Sequence, residues 1–240
     1  MTTSLLVLFL AAATGFCATD SAGQRLYRIM PVGDSITEGG RTFACYRYPL
    51  WEKLCAAGYL VDYVGSRTSE SRIGPLQHEG YGGKNAEFLA ANVGKRFREH
   101  PADIVLLHAG HNHTVEEQPV PKIITATESM IATFRTANPQ VTVLLAQVIP
   151  SGKLPKYSYL PALNDELAKV AARLNTPQQR IVLVNQAEGF DWTTDTIEDK
   201  VHPNARGAEK MAARWFAALT NVMERPKQTS QPKEHHESSH

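Results

Sequence analysis

The sequence is poor in cysteine, has almost no excess of charge and lacks a long internal apolar run. Its 240 residues include 25 Lys and Arg, 24 Asp and Glu and three cysteines, which gives a formal net charge of +1. This balance does not favour binding to nucleic acid, which attracts strongly basic surfaces. No internal run reaches the roughly 20 apolar residues of a transmembrane helix, so we expect no membrane span. The length is sufficient for one domain with a sizeable core.

The N-terminal segment is apolar. Residues 5–13 are followed by small residues, and a plausible cleavage site lies near Ala18. This pattern predicts a signal peptide over residues 1–18, and therefore a secreted or periplasmic protein. The basic residues that usually begin such a segment are missing. An amphipathic or disordered tail is one alternative, and a lipoprotein signal at Cys17 is another, although Phe16 is bulky for such a site.

Cys45 and Cys55 are the cysteines that follow the predicted signal peptide. A secreted chain permits them to form a disulfide. In the alternative, Cys55 shares an apolar helix face with Trp51 and Leu54 and is a small buried core residue. The two arrangements stay open, and the helix pattern favours the second.

Residues 22–224 alternate short apolar strands with amphipathic helices, without a repeat or a linker. The strands are rich in Val, Ile and Leu, as strands covered on both faces are. The pattern predicts one α/β domain, a three-layer α/β/α sandwich around a five-stranded parallel sheet. Residues 225–240 are polar and predict a disordered tail. The predicted strands are 27–32, 60–64, 104–108, 141–148 and 181–184, and the predicted helices are 49–57, 86–98, 122–136, 161–174 and 205–223.

Candidate functional residues follow three of these strands. Ser35 follows the first strand, and Gly110 and Asn112 follow the third. Asp199 and His202 lie in the connection between the fifth strand and the last helix. Ligands of parallel α/β folds bind at the carboxyl ends of the strands. We therefore expect these three distant segments to meet at one edge of the sheet.

Ser35 can act as a nucleophile if a base removes its proton. His202 can be that base when Asp199, three residues earlier, accepts a hydrogen bond from the other ring nitrogen. Pro203 disfavours the α conformation at His202, which leaves the imidazole on a loop before the last helix. Taken alone, His202 could be an ordinary helix-start histidine and Asp199 a capping carboxylate. Together with Ser35 at the same edge, they predict a Ser-His-Asp triad.

Ester hydrolysis also needs hydrogen-bond donors for the oxyanion of the tetrahedral intermediate. The candidates are the backbone N–H of Ser35, the backbone N–H of Gly83 and the side-chain amide of Asn112. Gly82 is the alternative to Gly83. The two glycines also fit a tight turn before the following helix, and such a turn would direct the N–H towards the oxyanion.

Four blocks of the chain, in order, resemble the SGNH (GDSL-type) hydrolases. They are Ser35 in Gly-Asp-Ser, Gly83, Asn112 in Gly-His-Asn, and His202 in Asp-x-x-His. From about residue 27 to 219 the chain is more narrowly similar to carbohydrate esterase family three. The segments that carry this similarity are 30–39, 46–51, 61–66 and 78–80.

The resemblance implies a flavodoxin-like sheet, no metal or other cofactor, and removal of acetyl groups from an acetylated oligo- or polysaccharide such as xylan. It implies that Ser35 is the nucleophile, His202 the base and Asp199 its orienting partner. The oxyanion hole would consist of Ser35, Gly83 and Asn112. The sugar, the acetyl position and the oligomeric state are not implied.

The third block departs from the pattern of the family. It is Gly110-His111-Asn112-His113, where the family usually has Gly-x-Asn-Asp. That aspartate supports the loop of the asparagine, so His113 leaves the orientation of Asn112 open. His108, His111 and His113 also resemble a metal cluster, but a fourth ligand is not evident.

Two further departures concern neighbouring residues. Asn112-His113-Thr114 is an N-glycosylation acceptor, which we expect to be unused, since a glycan would occupy the predicted oxyanion hole. Lys84 stands where the family commonly has tryptophan, which points to a different acyl pocket or rim.

Weaker candidates for substrate binding are Asp34, Tyr81 and Trp192, and Tyr157 and Tyr159 also lie on predicted edge loops. The alternative for the aromatic residues is packing within their loops. Two other functions stay open: a lysophospholipase or short-chain lipid esterase, and a non-catalytic carbohydrate-binding protein on an esterase fold. The His113 departure is the only feature that favours the last of these.

Overall fold

The computed structural model describes residues 24–69 and 75–226. The predicted signal peptide lies outside the described residues, as does the predicted polar tail beyond residue 226. Within the described residues no helix is both long and apolar enough to cross a bilayer.

The centre of the molecule is a mostly parallel sheet, in which the described residues form seven strands. The strands are β1 Leu26–Gly33, β2 Leu60–Tyr63, β3 Arg67–Ser69, β4 Leu76–Gly80, β5 Ile104–His108, β6 Thr142–Gln147 and β7 Ile181–Asn185. Their order is β3-β4-β1-β5-β6-β7, and β2 also pairs with β1. The β3–β4 pair is antiparallel, whereas the other pairs are parallel.

The helices flank the sheet as the alternation predicts. They are α1 Ser35–Glu38, α2 Arg47–Ala56, α3 Ala86–Glu99, α4 Val120–Ala137, α5 Leu160–Leu174, α6 Trp192–Asp195 and α7 Ala205–Thr220, with a 3₁₀ turn at Val115–Glu117. Helices α3, α4 and α5 contribute to one buried apolar cluster, and α2 and α7 contribute to another. Neighbours on β1 alternate between these clusters: Ile29 belongs to the second and Met30 to the first. Side chains of a strand point to opposite faces in turn, so the two clusters lie on opposite faces of the sheet, which confirms the three-layer sandwich.

The predicted strand count was too low. All five predicted strands are present within two residues of their predicted ends, but β3 and β4 were not predicted. Strand β4 is Leu-Gln-His-Glu-Gly and has no apolar run. His78 and Glu79 on it are nevertheless buried, because hydrogen bonds satisfy them: Ser69 Oγ lies 2.8 Å from His78 Nε2, and Tyr81 donates to Glu79.

The two cysteines do not pair. Cys45 and Cys55 are both free thiols; Cys45 is buried and Cys55 is exposed. The expectation that Cys55 belongs to the core is therefore wrong. Leu54 is fully buried, and the next residue of a helix lies about 100° further round the axis, which turns Cys55 outward.

Candidate active site

Ser35 lies where β1 ends and α1 begins. Asp34 caps this short helix, since its Oδ1 accepts a hydrogen bond from the Ile36 N–H at 3.0 Å. Gly33, the last residue of β1, has no room for a side chain: a Cβ there would lie 2.3 Å from the His108 carbonyl oxygen. The turn is therefore tight, and it leaves the Ser35 side chain partly exposed at the edge of the sheet.

The structure brings Ser35, His202 and Asp199 into one hydrogen-bonded chain. Ser35 Oγ lies 2.7 Å from His202 Nε2, and His202 Nδ1 lies 2.5 Å from Asp199 Oδ2. A carboxylate only accepts hydrogen bonds, so Nδ1 carries the hydrogen and Nε2 is left to accept from the serine. These atoms are thus arranged for proton transfer from Ser35 to His202.

The Asp199 carboxylate is held by its own turn. Its Oδ1 accepts hydrogen bonds from the N–H groups of Val201 and His202, both at 2.9 Å. Burial alone would raise the pKa of Asp199, but these bonds and the His202 ring outweigh it, so the pKa lies below its usual value. The carboxylate is therefore charged while it orients the imidazole.

Phe43 is a neighbour of the imidazole that the motifs did not indicate. Its ring stacks on His202 with a centroid distance of 4.2 Å and an interplanar angle of 25°. Phe43 also lines a cavity of about 610 Å³, together with Tyr48, Glu52 and Glu209 among others. It comes from the loop between α1 and α2, and only the tertiary fold places that loop beside His202.

The glycine turn lies next to Ser35. Gly82 donates its N–H to Glu38 Oε2 at 2.5 Å, and a Cβ on Gly82 would lie 3.8 Å from Ser35 Cβ. Because the Gly82 N–H already donates to Glu38, Gly83 is the stronger candidate for an oxyanion donor. Gly83 has φ +72°, which glycine adopts without strain, and no atom would lie within 4 Å of a Cβ there.

Asn112 faces the same turn. Its Nδ2 donates to the Lys84 carbonyl oxygen at 2.9 Å, and its backbone has φ +71°, a left-handed conformation that asparagine tolerates better than most residues. An amide nitrogen has two hydrogens, so one remains for a ligand. The orientation that the sequence left open is therefore towards Gly83 and Lys84.

His113 is buried between two carboxylates, at the position where an aspartate was expected. Its Nδ1 is 2.7 Å from Glu117 Oε2, and its Nε2 is 2.9 Å from Glu87 Oε2. No group of three or more His, Cys, Asp or Glu in the described ranges is arranged to hold a metal ion.

Asp34 lies beneath the site. Its side chain is 1% exposed, so it does not line the open edge where a substrate would bind. Burial raises its pKa to about 6, although the Ile36 N–H and the nearby His202 ring oppose the shift. Asp34 Oδ2 lies 3.9 Å from His111 Nδ1, and neither atom has a hydrogen-bond partner among the described residues.

The aromatic candidates differ in position. Tyr157 and Tyr159 are buried, and Tyr159 donates to the Gly110 carbonyl oxygen at 2.9 Å, so both pack within their loops. Tyr81 is half-buried and donates to Glu79. Trp192 is half-buried against Gly152, at which a Cβ would lie 2.2 Å from the indole ring.

Comparisons with known proteins identify a matching family and similar structures. Residues 32–210 match the profile of the GDSL-like Lipase/Acylhydrolase family. A carbohydrate esterase family 3 structure from Talaromyces cellulolyticus is 26% identical, with a TM-score of 0.73 over 82% of this chain and 97% of that chain. A family 3 carbohydrate esterase from Clostridium thermocellum is 27% identical, with a TM-score of 0.71 and the same coverage.

A mutant acetyl esterase whose structure contains an acetate ion is also similar, at 26% identity and a TM-score of 0.72 over 82% of this chain and 97% of that chain. A search of curated proteins found no significant match.

Proposed function

Because the chain belongs to the GDSL-like lipase/acylhydrolase family, we propose that it is a serine esterase that removes acetyl groups from carbohydrate through an acyl-enzyme. The proposal depends above all on the hydrogen-bonded chain from Ser35 through His202 to Asp199, with contacts of 2.7 and 2.5 Å. This is the arrangement in which a neutral imidazole takes the proton of an attacking hydroxyl.

In the first half of the reaction, Ser35 Oγ attacks the acetyl carbonyl carbon while His202 Nε2 takes the hydroxyl proton. The carbonyl oxygen becomes an oxyanion, which the N–H groups of Ser35 and Gly83 and the free hydrogen of the Asn112 amide would stabilise. The tetrahedral intermediate then collapses. The bond to the sugar oxygen breaks, and His202 gives its proton to that oxygen.

In the second half, the acetyl group is bonded to Ser35 Oγ. A water molecule gives its proton to His202 Nε2 and attacks the acetyl carbon. The second tetrahedral intermediate releases acetate, and the imidazole returns the proton to Ser35 Oγ. The charged Asp199 carboxylate stabilises the imidazolium in both halves.

Two observations support acetyl carbohydrate as the substrate. The similar structures above 25% identity are described as family 3 carbohydrate esterases and as an acetyl esterase. Phe43, whose ring stacks on His202, also lines a cavity of about 610 Å³ with Tyr48 and several polar residues, and we infer that the leaving sugar lies on this side. Polar groups and an aromatic ring suit a sugar better than an acyl chain. The N-terminal pattern additionally supports secretion.

The test is acetate release by the wild-type protein and by Ser35→Ala. Wild type should hydrolyse an aryl acetate, whereas S35A should lose about 10⁴-fold or more of kcat without a change of fold, as triad variants do. Ser129→Ala, on the exposed side of α4, is the matched control and should keep full activity. Full activity of S35A would contradict the mechanism.

The substrate class needs a separate comparison. Acetylated xylan, acetylated chitin oligomers and simple acetylated sugars should release acetate, and octanoyl esters should react more slowly than acetyl esters. A preference for octanoyl esters would favour the lipid-esterase alternative. A protein that neither turns over esters nor reacts with an organophosphonate at Ser35 would favour the non-catalytic alternative.

A further inference from the structure

The surroundings of His113 define its protonation. Each ring nitrogen lies within 2.9 Å of a carboxylate oxygen: Nδ1 contacts Glu117 and Nε2 contacts Glu87. Carboxylates accept hydrogen bonds and donate none, so both contacts are hydrogen bonds only if both ring nitrogens carry hydrogen. The hydrogen bond from His113 also lowers the pKa of Glu117, which favours a charged carboxylate opposite the ring. The geometry is therefore that of a ring that donates from both nitrogens, one hydrogen bond to each carboxylate.

The two carboxylates come from different parts of the fold. Glu117 belongs to the 3₁₀ turn that directly follows His113, and its other oxygen accepts the Thr114 N–H at 3.0 Å. Glu87 belongs to the first turn of α3. The bond to Glu117 is thus local, whereas the bond to Glu87 joins the His113 loop to a helix 26 residues earlier in the chain.

This long-range bond lies beside the candidate oxyanion donors. Helix α3 begins at Ala86, shortly after Gly83, and Asn112 donates to the Lys84 carbonyl oxygen at 2.9 Å. The loop that carries Asn112 and the turn that carries Gly83 are therefore joined at two points, one through Asn112 and one through His113.

We propose that His113 is a positioning residue, a double hydrogen-bond donor that fixes the Asn112 loop against the start of α3. The inference rests on the proposed function, because the position of this loop affects catalysis only if Asn112 and Gly83 bind an oxyanion. The oxyanion forms only during the reaction, so a loosened loop lowers kcat and leaves KM largely unchanged.

Other titratable groups near the ring do not replace these contacts. Tyr159, at the start of α5, is buried and its pKa is raised by burial, so it stays neutral. Its hydroxyl donates to Gly110. Glu116, next to Glu117, is exposed. The acceptors of the His113 ring are therefore Glu87 and Glu117.

Two isosteric variants separate the two bonds. The amide nitrogen of His113→Gln reaches the place of Nε2 and can still donate to Glu87, whereas that of His113→Asn reaches the place of Nδ1 and can donate only to Glu117. We expect H113N to lose about 10- to 100-fold in kcat on an aryl acetate, the loss typical of misplaced catalytic groups, with KM within about twofold. H113Q should retain more activity than H113N, and His100→Gln, at the end of α3, should match wild type.

A second variant covers the case in which H113N fails to fold. Glu87 is 38% exposed, so Glu87→Ala removes the same bond with little disturbance of the core and should lower kcat to a similar extent. The double variant H113N/E87A should be no worse than either single variant, since both remove one contact. Unchanged kcat in folded E87A, or equal kcat in H113N and H113Q, would overturn the inference.

The ring itself can be observed without an activity assay. In wild type labelled with ¹⁵N-histidine, both nitrogens of His113 should show the shifts of a protonated imidazolium at the pH of the assay. A neutral tautomer would overturn the inference even in an active enzyme. If wild type released no acetate, the proposed function would fail, and an imidazolium signal would still support the bond between the loop and α3.

Discussion

At the residue scale, burial gives Asp34 a different role from that of Asp199. The side chain of Asp199 is about a third exposed and is held by three hydrogen bonds, so its pKa is lowered. Asp34 is fully enclosed, and the desolvation of its charged form raises the pKa to about 6. The same residue type is therefore a permanent anion at one position and readily protonated at the other.

The raised pKa of Asp34 predicts a pH-dependent stability. In the unfolded chain the carboxyl ionises near pH 4, whereas in the fold it ionises at about pH 6. The group therefore favours the folded state most below pH 4, and this contribution is lost as the pH rises to about 6. Asp34→Asn keeps the oxygen that caps α1 and removes the titration. Relative to wild type, D34N should gain about 2 kcal/mol in free energy of unfolding between pH 4 and pH 7.

Urea denaturation of both proteins at the two pH values measures this change. The difference between the two proteins cancels the contribution of every other titratable group. An equal difference at both pH values would contradict a raised pKa of Asp34 in the fold.

At the scale of elements, the start of α7 positions the turn that carries the candidate catalytic residues Asp199 and His202. Asn204 caps this helix through the Gly207 N–H at 3.0 Å. Its Nδ2 also donates to the carbonyl oxygens of Thr194 and Thr196, at 2.9 and 3.1 Å. These bonds join the end of α6 and the residue after it to the start of α7, on either side of the turn that carries Asp199 and His202.

Substitutions of two helix N-cap residues test the contribution of these hydrogen bonds. Aspartate caps helices about as well as asparagine, so Asn204→Asp keeps the cap but loses both donors and places a charge beside two carbonyl oxygens. We expect a loss of about 1–3 kcal/mol in the free energy of unfolding. Asn85→Asp is the matched control, because among the described residues the Asn85 side chain accepts a bond from the Phe88 N–H and donates none. It should change stability by less than about 0.5 kcal/mol. Equal effects in a denaturation experiment would show that the donors of Asn204 contribute nothing.

At the scale of the whole molecule, the sheet separates two apolar clusters, which we expect to unfold together. Ile131, on α4, is fully buried in one cluster, and Ile29, on β1, is fully buried in the other. We expect Ile131→Val and Ile29→Val each to cost about 0.5–1.5 kcal/mol. The double variant should come within about 0.5 kcal/mol of the sum, because the side chains share no contacts. Thermal unfolding should remain a single transition in both single variants and in the double variant. A second transition in any of them would mean that the two clusters unfold independently.

The sequence was sufficient for elements and residues whose signal is local. Apolar runs marked five strands, and helical periodicity marked five helices, because such elements must bury a repeating apolar face. Ser35, His202 and Asp199 follow predicted elements at the same edge of a parallel sheet, so their approach could be expected from topology. Strands β3 and β4 could not be found in this way, because neither has an apolar run. The buried residues His78 and Glu79 of β4 are polar and depend on hydrogen bonds to Ser69 and Tyr81.

The sequence by itself determined the layers of this protein and the identity of its candidate catalytic groups, since both depend on patterns within short segments. Only the tertiary structure decided that Phe43 stacks on His202, that Glu38 engages Gly82 rather than Gly83, that Asp34 is enclosed, and that two glutamates hold His113. Apart from the bond between His113 and Glu117, these contacts join residues that are far apart in the chain. Their distances depend on how whole helices and strands pack, and no local pattern of side chains encodes them.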